Sequence, residues 1–578
     1  MFSLLNYQTH RTSTDADARI LALPLSELTV ACTQRTIPPL EILHAYGRRT
    51  LAAHADTNCL ADLFFEESER TAALLSSSPT PSSVQPHPDV PDSEIKPLAG
   101  VPVGIKGCID IEGHDTTLGF FAHSNRPALV SAPLVCLLRD AGALIYVKTT
   151  LPTACFSFEC SSDVFGTTTN PYNRAFSPGA STGGGAALLA WQGTLVDVGT
   201  DLGGSVRYPA VYCGLYAVKS THGRFPSTGC LSPTAGVEAV PTVTSPLARN
   251  LDDLEEFWKR VMDMKPWKYD HTCAQIPWTP VDFIGSGRKL RFGVIADDGI
   301  IPPTPAVSRA LREVIEALQK HGHEVNPFTP PDLLEALKIG FQLVFSDGAT
   351  SVLEPRSVGE TINPALLTVR LLLHLPLLFK RLYATLMRLH SRPRGRNHTW
   401  AALLEVLHPL SVREERALIV ARDAYRTAWH DAWRAQGIDL LLTVPHALPA
   451  MPTDPKASKK ATLISTNYAF LYNVLDCTAG VMPISYVSRD TDAHPSNLHR
   501  TPQYQHMNDV ARAVHDLYDA DAMHGLPVGV QVVGARWDEE RVLAGMKLIE
   551  HVLKNDGGDK VTGFLPKRFG EINEIGRG

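Results

Sequence analysis

Two serines in this chain are set in glycine: Ser181 within Gly179-Ala-Ser-Thr-Gly-Gly-Gly185, and Ser205 within Asp201-Leu-Gly-Gly-Ser-Val-Arg207. A serine hydroxyl is a weak nucleophile until a base takes its proton, and the carbonyl it attacks needs N–H donors where negative charge develops. Gly203-Gly204-Ser205 offers a row of such donors with no side chain in the way. Glycine has more backbone freedom to lose on folding than any other residue, so this density of glycine suggests amides presented directly to a ligand. Taken singly, each cluster reads equally well as a tight turn beside a helix. The base comes from upstream. Leu98-Ala-Gly-Val-Pro-Val-Gly-Ile-Lys106 reads as a buried strand that delivers a lysine at its end. Lysine is rarely placed beside such an apolar run unless its ammonium is paired or burial favours the neutral amine. Alone, Lys106 is a strand-end surface charge. With the two serines it suggests a serine nucleophile activated by a neutral lysine, a variant of triad chemistry.

In this order and spacing, Lys106, Ser181 and Ser205 resemble the amidase signature family, and within it the fatty acid amide hydrolases. The runs Gly199-Thr-Asp-Leu-Gly-Gly-Ser-Val-Arg-Tyr-Pro-Ala210, Cys213-Gly-Leu-Tyr-Ala-Val-Lys219, Phe156-Ser-Phe-Glu-Cys160 and Phe165-Gly-Thr-Thr-Thr-Asn-Pro171 carry the same resemblance, which extends from about Leu25 to about Leu553. It implies an α/β amidase-signature fold: a twisted mixed β-sheet sandwiched by α-helices, with a helical-hairpin membrane cap. It implies Ser205 as nucleophile forming an acyl-enzyme, and backbone N–H groups from Leu202 through Gly203 and Gly204 to Ser205 as the oxyanion site. Ser181, on a cis peptide, would relay the proton between Ser205 and Lys106, and Lys106 would return it to the leaving amine. Cys155 and Phe156 would line the substrate site, Thr182, Thr200 and Asp201 would support it, and Arg207 would be structural. Three positions depart from the family pattern: Thr182 stands for a second serine, Ala180 for a glycine, and Cys155 for a larger apolar residue. The retained Thr182 hydroxyl is expected to keep the network intact, and Cys155 to alter chain-length preference. The implied substrate is a lipophilic amide such as a fatty acid amide or N-acylethanolamine, with a smaller aryl or metabolite amide or ester as the alternative. No cofactor and no metal are implied, and the expected assembly is a homodimer.

Composition is that of a globular protein, 44% hydrophobic and 20% charged over 578 residues with a net charge of −6. Mild acidity with no basic stripe argues against a nucleic-acid partner. The ten cysteines show no paired spacing, and several lie inside apolar runs such as Leu134-Val-Cys-Leu-Leu138, which suits buried reduced thiols in an intracellular protein. The N-terminal residues lack a basic region and a long apolar core, so no signal peptide is expected. No apolar run is long enough to span a bilayer. The expected location is cytoplasmic or peripheral to a membrane, not secreted.

Residues 14–75 read as helices from apolar spacings of three and four, and Ser76–Ser93 as an exposed Ser/Pro-rich loop. The strand at Lys106 is followed by a helix over 130–141 and a strand from Ala143. Asn250 caps a helix with an acidic first turn. A β-α-β unit spans Leu290 to Val325, and further buried strands begin at Leu440 and Leu526. Strands alternating with helices imply a layered α/β fold. The expected divisions are 1–95 as N-terminal helices and loop packed on the core, 96–560 as the catalytic domain with its core motif at 96–250, and 561–578 as a tail.

Two segments stand apart. Residues 488–524 form a polar insertion with five histidines at spacings that fit no metal site, read as a solvated loop-helix connection. Residues 363–396 are rich in leucine and arginine and are divided by Pro376. On a helical projection Leu378, Leu382, Leu386 and Leu389 fall on one side, and Lys380, Arg381 and Arg388 on the other. Such a basic amphipathic pair either docks in a membrane interface or packs as a core hairpin with a basic outer face. Its place in the chain resembles the membrane-docking cap of fatty acid amide hydrolases.

Three other readings compete with this one. Gly179-Ala-Ser-Thr-Gly183 also matches a nucleophile elbow, but an elbow needs a strand directly before it and Phe176-Ser-Pro-Gly179 offers none. A transamidase would need tRNA or nucleotide recognition, for which there is neither a basic stripe nor a phosphate loop. A non-catalytic membrane-binding protein would not need the intact Lys–Ser–Ser set.

Overall fold

Thirteen strands are present in the computed structural model, which describes residues 15–77, 96–390, 398–454 and 463–555 together with Ala457, Lys459 and Ala461. In chain order they are β1 (Leu60–Leu63), β2 (Pro102–Lys106), β3 (Leu144–Thr149), β4 (Cys160–Ser162), β5 (Gly166–Thr168), β6 (Val196–Asp201), β7 (Tyr216–Lys219), β8 (Val243–Ala248), β9 (Arg291–Ile295), β10 (Glu324–Pro327), β11 (Leu440–Thr443), β12 (Ala479–Tyr486) and β13 (Pro527–Val533). Strands β4 and β5 pair as a hairpin, and the other eleven form one sheet in the order β1-β3-β2-β6-β8-β7-β12-β13-β11-β9-β10. Its pairings are mixed. β2 runs parallel to both β3 and β6, β9 runs parallel to β10 and β11, and the central pairs from β6 through β13 to β11 are antiparallel.

Strands β2, β3, β6 and β13 are buried at every position, which requires cover on both faces of the sheet. Helix Gly183–Ala190 supplies it over β2, β3 and β6, and helices Pro305–Lys320 and Glu539–Asn555 supply it over β12 and β13. Every residue of Gly183–Ala190 is buried. A Cβ at Gly184 would lie 2.4 Å from the Thr150 nitrogen, so glycine there lets the helix approach the sheet backbone. In helix Leu251–Asp263 the Asn250 side chain accepts the Asp253 N–H at 2.7 Å, the cap that its sequence implied.

The structure amends several expectations. The stretch over 14–75 is not wholly helical: β1 interrupts it and pairs antiparallel with β3, Leu63 opposite Val147, because the edge of β3 offers it hydrogen bonds. Ser76 and Ser77 close helix Phe65–Ser77; the rest of the expected Ser/Pro loop and the 561–578 tail lie outside the described residues. The 488–524 insertion is less solvated than expected. His515 is buried and its Nε2 donates to the Pro302 carbonyl at 2.9 Å. The His494 ring stacks on His515 at 5.2 Å, and burial pushes His494 down to about 4.

The segment at 363–396 forms helices Pro364–His374 and Leu377–His390, with Leu375 and Pro376 between them; Arg392, Arg394 and Arg396 lie outside the described residues. It buries one apolar face, with Leu366, Leu373, Ala384 and Met387, and turns a second one out. Leu378, Phe379, Leu382 and Leu386 are exposed, Leu378 at 76%. Lys380, which a core hairpin would carry on its outer face, is buried, its Nζ donating to the Leu373 carbonyl at 3.1 Å and to the Leu407 carbonyl. Arg388 pairs with Glu405 through two 2.7 Å bonds. Lys380 and Arg388 turn toward helix His398–Val406 and its C-terminal end, Arg381 stays exposed, and Leu378, Leu382, Leu386 and Leu389 turn out. Among the described residues no helix is long and apolar enough to cross a membrane.

Candidate active site

Parallel pairing of β2 with β6, Ile105 opposite Val198, brings the C-terminal ends of these strands side by side. Lys106 and Thr200 therefore meet at one edge of the sheet. Lys106 is wholly buried; its Nζ lies 2.7 Å from Ser181 Oγ and donates to Thr200 Oγ1 at 2.8 Å and to the Thr200 carbonyl at 3.3 Å. The Ala180–Ser181 peptide is cis. The Thr182 N–H donates to the Ser205 carbonyl at 3.0 Å, so the two serine-bearing turns are joined through their backbones. Ser181 and Ser205 line the same cavity of about 580 Å³.

Asp201 organises the turn that carries Ser205. One carboxylate oxygen accepts the Gly204 N–H at 2.8 Å and the other the Val206 N–H at 3.1 Å. Burial acts to raise the Asp201 pKa, yet the Arg207 guanidinium and its hydrogen bonds hold this carboxyl well below the usual carboxylate range. Arg207, fully buried, also donates to the Ala469 carbonyl, to Gln531 Oε1 and to Asn473 Oδ1. It is the strut the sequence suggested. One expected oxyanion donor is engaged elsewhere: the Gly204 N–H points to Asp201, which leaves Leu202, Gly203 and Ser205 facing the cavity. Gly204 has φ +114°, and a Cβ there would also strike the Tyr208 ring at 2.3 Å, so only glycine fits. Thr182 does not extend the network. Its hydroxyl is buried with no hydrogen-bond partner among the described residues, and it packs against Gly199.

Cys155 and Phe156 line the cavity as expected. Its remaining apolar wall comes from residues that local spacing does not single out. Phe341, Val344 and Phe345 come from the end of helix Leu333–Val344, and Phe470 from helix Asn467–Val474. Phe345 lies 5.5 Å from the Phe156 ring and Phe341 4.9 Å from Phe470. A second set, including Ser227, Ser232, Thr234, Thr242 and Thr244, adds hydroxyls. Apolar periodicity marks a helix face that turns inward without saying whether it meets core or cavity, so these residues carry no sequence signal of their own. Remote in sequence, Asn473 comes from helix Asn467–Val474 and Gln531 from β13, and they meet the site through Arg207 and Asp201.

The cavity wall is tied to the leucine-rich hairpin. Asn363, just before helix Pro364–His374, donates to Ser157 Oγ at 2.5 Å and to Glu159 Oε2 at 3.3 Å, and Ser157 lines the cavity. The stretch before Ser181 is irregular, with a single bridge from Phe176 to Pro452. The strand that a nucleophile elbow requires is missing there, and the partner of Ser181 is Lys106.

The family model described as Amidase matches residues 41–543. The fatty-acid amide hydrolase 1 of Sus scrofa is 33% identical over 540 residues, 92% of this chain and 86% of that protein. An acetamidase of Aspergillus oryzae is 28% identical, covering 92% of this chain and 89% of its own. A solved fatty acid amide hydrolase structure superposes with a TM-score of 0.80 at 25% identity, over 96% of this chain and 89% of the other.

Proposed function

The chain belongs to the amidase family of amide hydrolases, and from that premise we propose that it hydrolyses lipophilic amides through an acyl-enzyme on Ser205, at a membrane surface. The observation that carries the reading is the 2.7 Å contact of a buried lysine amine with Ser181 Oγ in the cavity that Ser205 shares.

Lys106 accepts the Ser181 proton on its amine, Ser181 takes that of Ser205, and Ser205 Oγ attacks the amide carbonyl. The N–H groups of Leu202, Gly203 and Ser205 receive the oxyanion, and each such donor contributes roughly 3–4 kcal/mol in the transition state. Amines leave poorly, so the return of the proton from Lys106 through Ser181 to the leaving nitrogen is the step that makes amide cleavage possible. Water then releases the acid. Thr200 holds Lys106 in register, and Asp201 holds the turn bearing Ser205.

Lipophilic specificity is supported by the phenylalanine-lined part of the cavity and by the hairpin. A soluble protein does not turn four leucines and a phenylalanine to water while burying the lysine between them; a hairpin lying in a membrane interface does. The hydrogen bond from Asn363, just before the hairpin, to Ser157 ties the hairpin to the cavity wall and supports this reading. A homodimer belongs to the same reading, and light scattering measures it.

Turnover of oleamide against a short aryl amide, each with and without liposomes, tests this function. Turnover of oleamide that liposomes enhance is the expected result. Turnover of the short amide alone would keep the amidase and remove the lipid assignment, in line with the acetamidase relatives.

A further inference from the structure

The cavity has two unlike walls, and the register of the sheet decides which of them Lys106 serves. The aromatic wall closes over Gly203, where an added Cβ would lie 3.3 Å from the Phe470 ring. The other wall starts on β8. Thr244 there stands opposite Thr200 of β6, so both side chains share a face of the sheet, and the Thr200 hydroxyl takes a Lys106 N–H at 2.8 Å. From Thr244 the wall runs on through hydroxyls. Ser227 Oγ accepts the Thr244 N–H at 3.2 Å, and the Ser232 and Thr234 hydroxyls lie 3.2 Å apart. The chain then turns at Gly236, φ +84°, and brings Glu238, exposed, to the rim of the same cavity.

The charge on this wall is negative. Glu238 has no ion-pair partner among the described residues, and Arg422, whose Nη1 donates to the neighbouring Ala239 carbonyl, is held by Asp423 at 2.7 Å. Asp270 adds a second carboxylate behind the wall. It accepts the N–H groups of Ser227, Thr228 and Thr272 at 2.9 Å each and the Thr272 hydroxyl at 2.7 Å, and Ser227 and Thr272 line the cavity. Burial acts to raise the Asp270 pKa, yet these donors hold it below the usual carboxylate range. His222 adds an imidazole that can donate or accept. Among the described residues no lysine or arginine lines the cavity. A cleft lined by one sign of charge draws the opposite sign.

The proton that Lys106 returns through Ser181 has to reach the leaving nitrogen, so the amine half of a substrate lies on the Lys106 side, along the hydroxyls. The acyl half is left to the phenylalanines. We propose that Glu238 selects amides whose amine half carries a second, protonated amino group, such as N-acyl diamines, over amides whose amine half ends in a carboxylate. The hydroxyls between Thr244 and Glu238 take the polar stem. Cleavage breaks the C–N bond, and the leaving nitrogen gains the Ser181 proton. The diamine departs past Glu238, and water supplies the hydroxyl of the acid.

This selection rests on the proposed role of Lys106 as proton donor to the leaving nitrogen, and it is independent of lipid specificity. Amides of 1,4-diaminobutane, 4-aminobutanol and 4-aminobutyric acid differ at the far end of the amine half. Each is made with an oleoyl and with a butanoyl chain and hydrolysed at pH 8 by full-length wild type, Glu238→Gln and Glu238→Lys. The ranking of kcat/KM within each protein is the readout, because a general loss of activity leaves it unchanged. Expected in wild type is amine over alcohol over carboxylate, spanning roughly tenfold, the scale of an exposed attraction and an exposed repulsion together. Glu238→Gln should narrow that span by roughly threefold, and Glu238→Lys should narrow it further. The same ranking in the butanoyl series alone would support the selection and remove the lipid assignment. Equal values for the three amines, a preference for the carboxylate, or a preference for the cation that both variants leave unchanged would overturn the selection. Hydrolysis of oleamide with none of these amides would overturn it and keep the lipid reading.

Discussion

Asp201 grips Arg207 with both carboxylate oxygens, Nε to Oδ2 and Nη2 to Oδ1 each at 3.0 Å, and both side chains are fully out of water. The same two oxygens take the Gly204 and Val206 N–H groups, so one buried ion pair sets the backbone on either side of Ser205. Removing one member leaves the other charge buried and unpaired, a loss of about 3–5 kcal/mol. Asp201→Ala is therefore expected to destabilise the fold by that order and to abolish turnover. The native Asp201 pKa lies below its unfolded value near 3.9. Its contribution is present above that value and lost as pH falls through it toward the native one. Denaturant unfolding at neutral and acid pH checks this: the gap between wild type and variant should narrow in acid.

Asp197 predicts the opposite sign. Its carboxyl fits between Gly104 and Gly185, where an added Cβ would lie 2.2 and 2.0 Å from its oxygens, and neither oxygen has a hydrogen-bond partner among the described residues. Burial pushes it up to about 8. The native state keeps the proton that the unfolded chain releases above about 3.9. Stability then falls as pH rises from there toward 8, by up to about 1.4 kcal/mol per pH unit. Asp197→Asn lacks this dependence, so wild type should lose ground to the variant across that range. A difference that does not change with pH would contradict it.

The hairpin makes a third prediction. Burying a leucine side chain contributes about 1.5–3 kcal/mol. Leu378→Glu with Leu382→Glu should weaken liposome binding by at least roughly a hundredfold in flotation assays, while both positions remain compatible with the fold because they are exposed. Unchanged flotation would remove the membrane reading.

Phe345 predicts substrate preference. It closes against Phe156 in the apolar wall, so Phe345→Ala should lower kcat/KM for long-chain amides by roughly tenfold, about 1.4 kcal/mol, and spare short ones. Equal losses on both would place Phe345 outside the acyl site.

The lysine and two serines of the proposed trio stood out because their chemistry is written in local residue types: glycine around serine, and lysine closing an apolar strand. Helices and buried strands followed from periodicity and caps such as Asn250. What the sequence could not convey was direction. Lys380 and the leucines around it separate correctly on a helical projection, yet nothing in the projection says that the lysine faces in. Likewise Thr182 keeps a hydroxyl that the fold leaves idle, and Gly204 carries an N–H that Asp201 takes. The β1 strand was hidden because pairing with the edge of β3, a long-range contact, decides its state over local propensity.

Fluorophosphonate labelling, with the modified peptide located in wild type, Lys106→Ala, Ser181→Ala and Ser205→Ala, tests whether Ser205 is the nucleophile that Lys106 and Ser181 activate. Label is expected on Ser205 in wild type and absent in Ser205→Ala, with labelling slowed by roughly a hundredfold or more in Lys106→Ala and Ser181→Ala. Label that persists in Ser205→Ala, or that resides on Ser181 in the wild type, would contradict it.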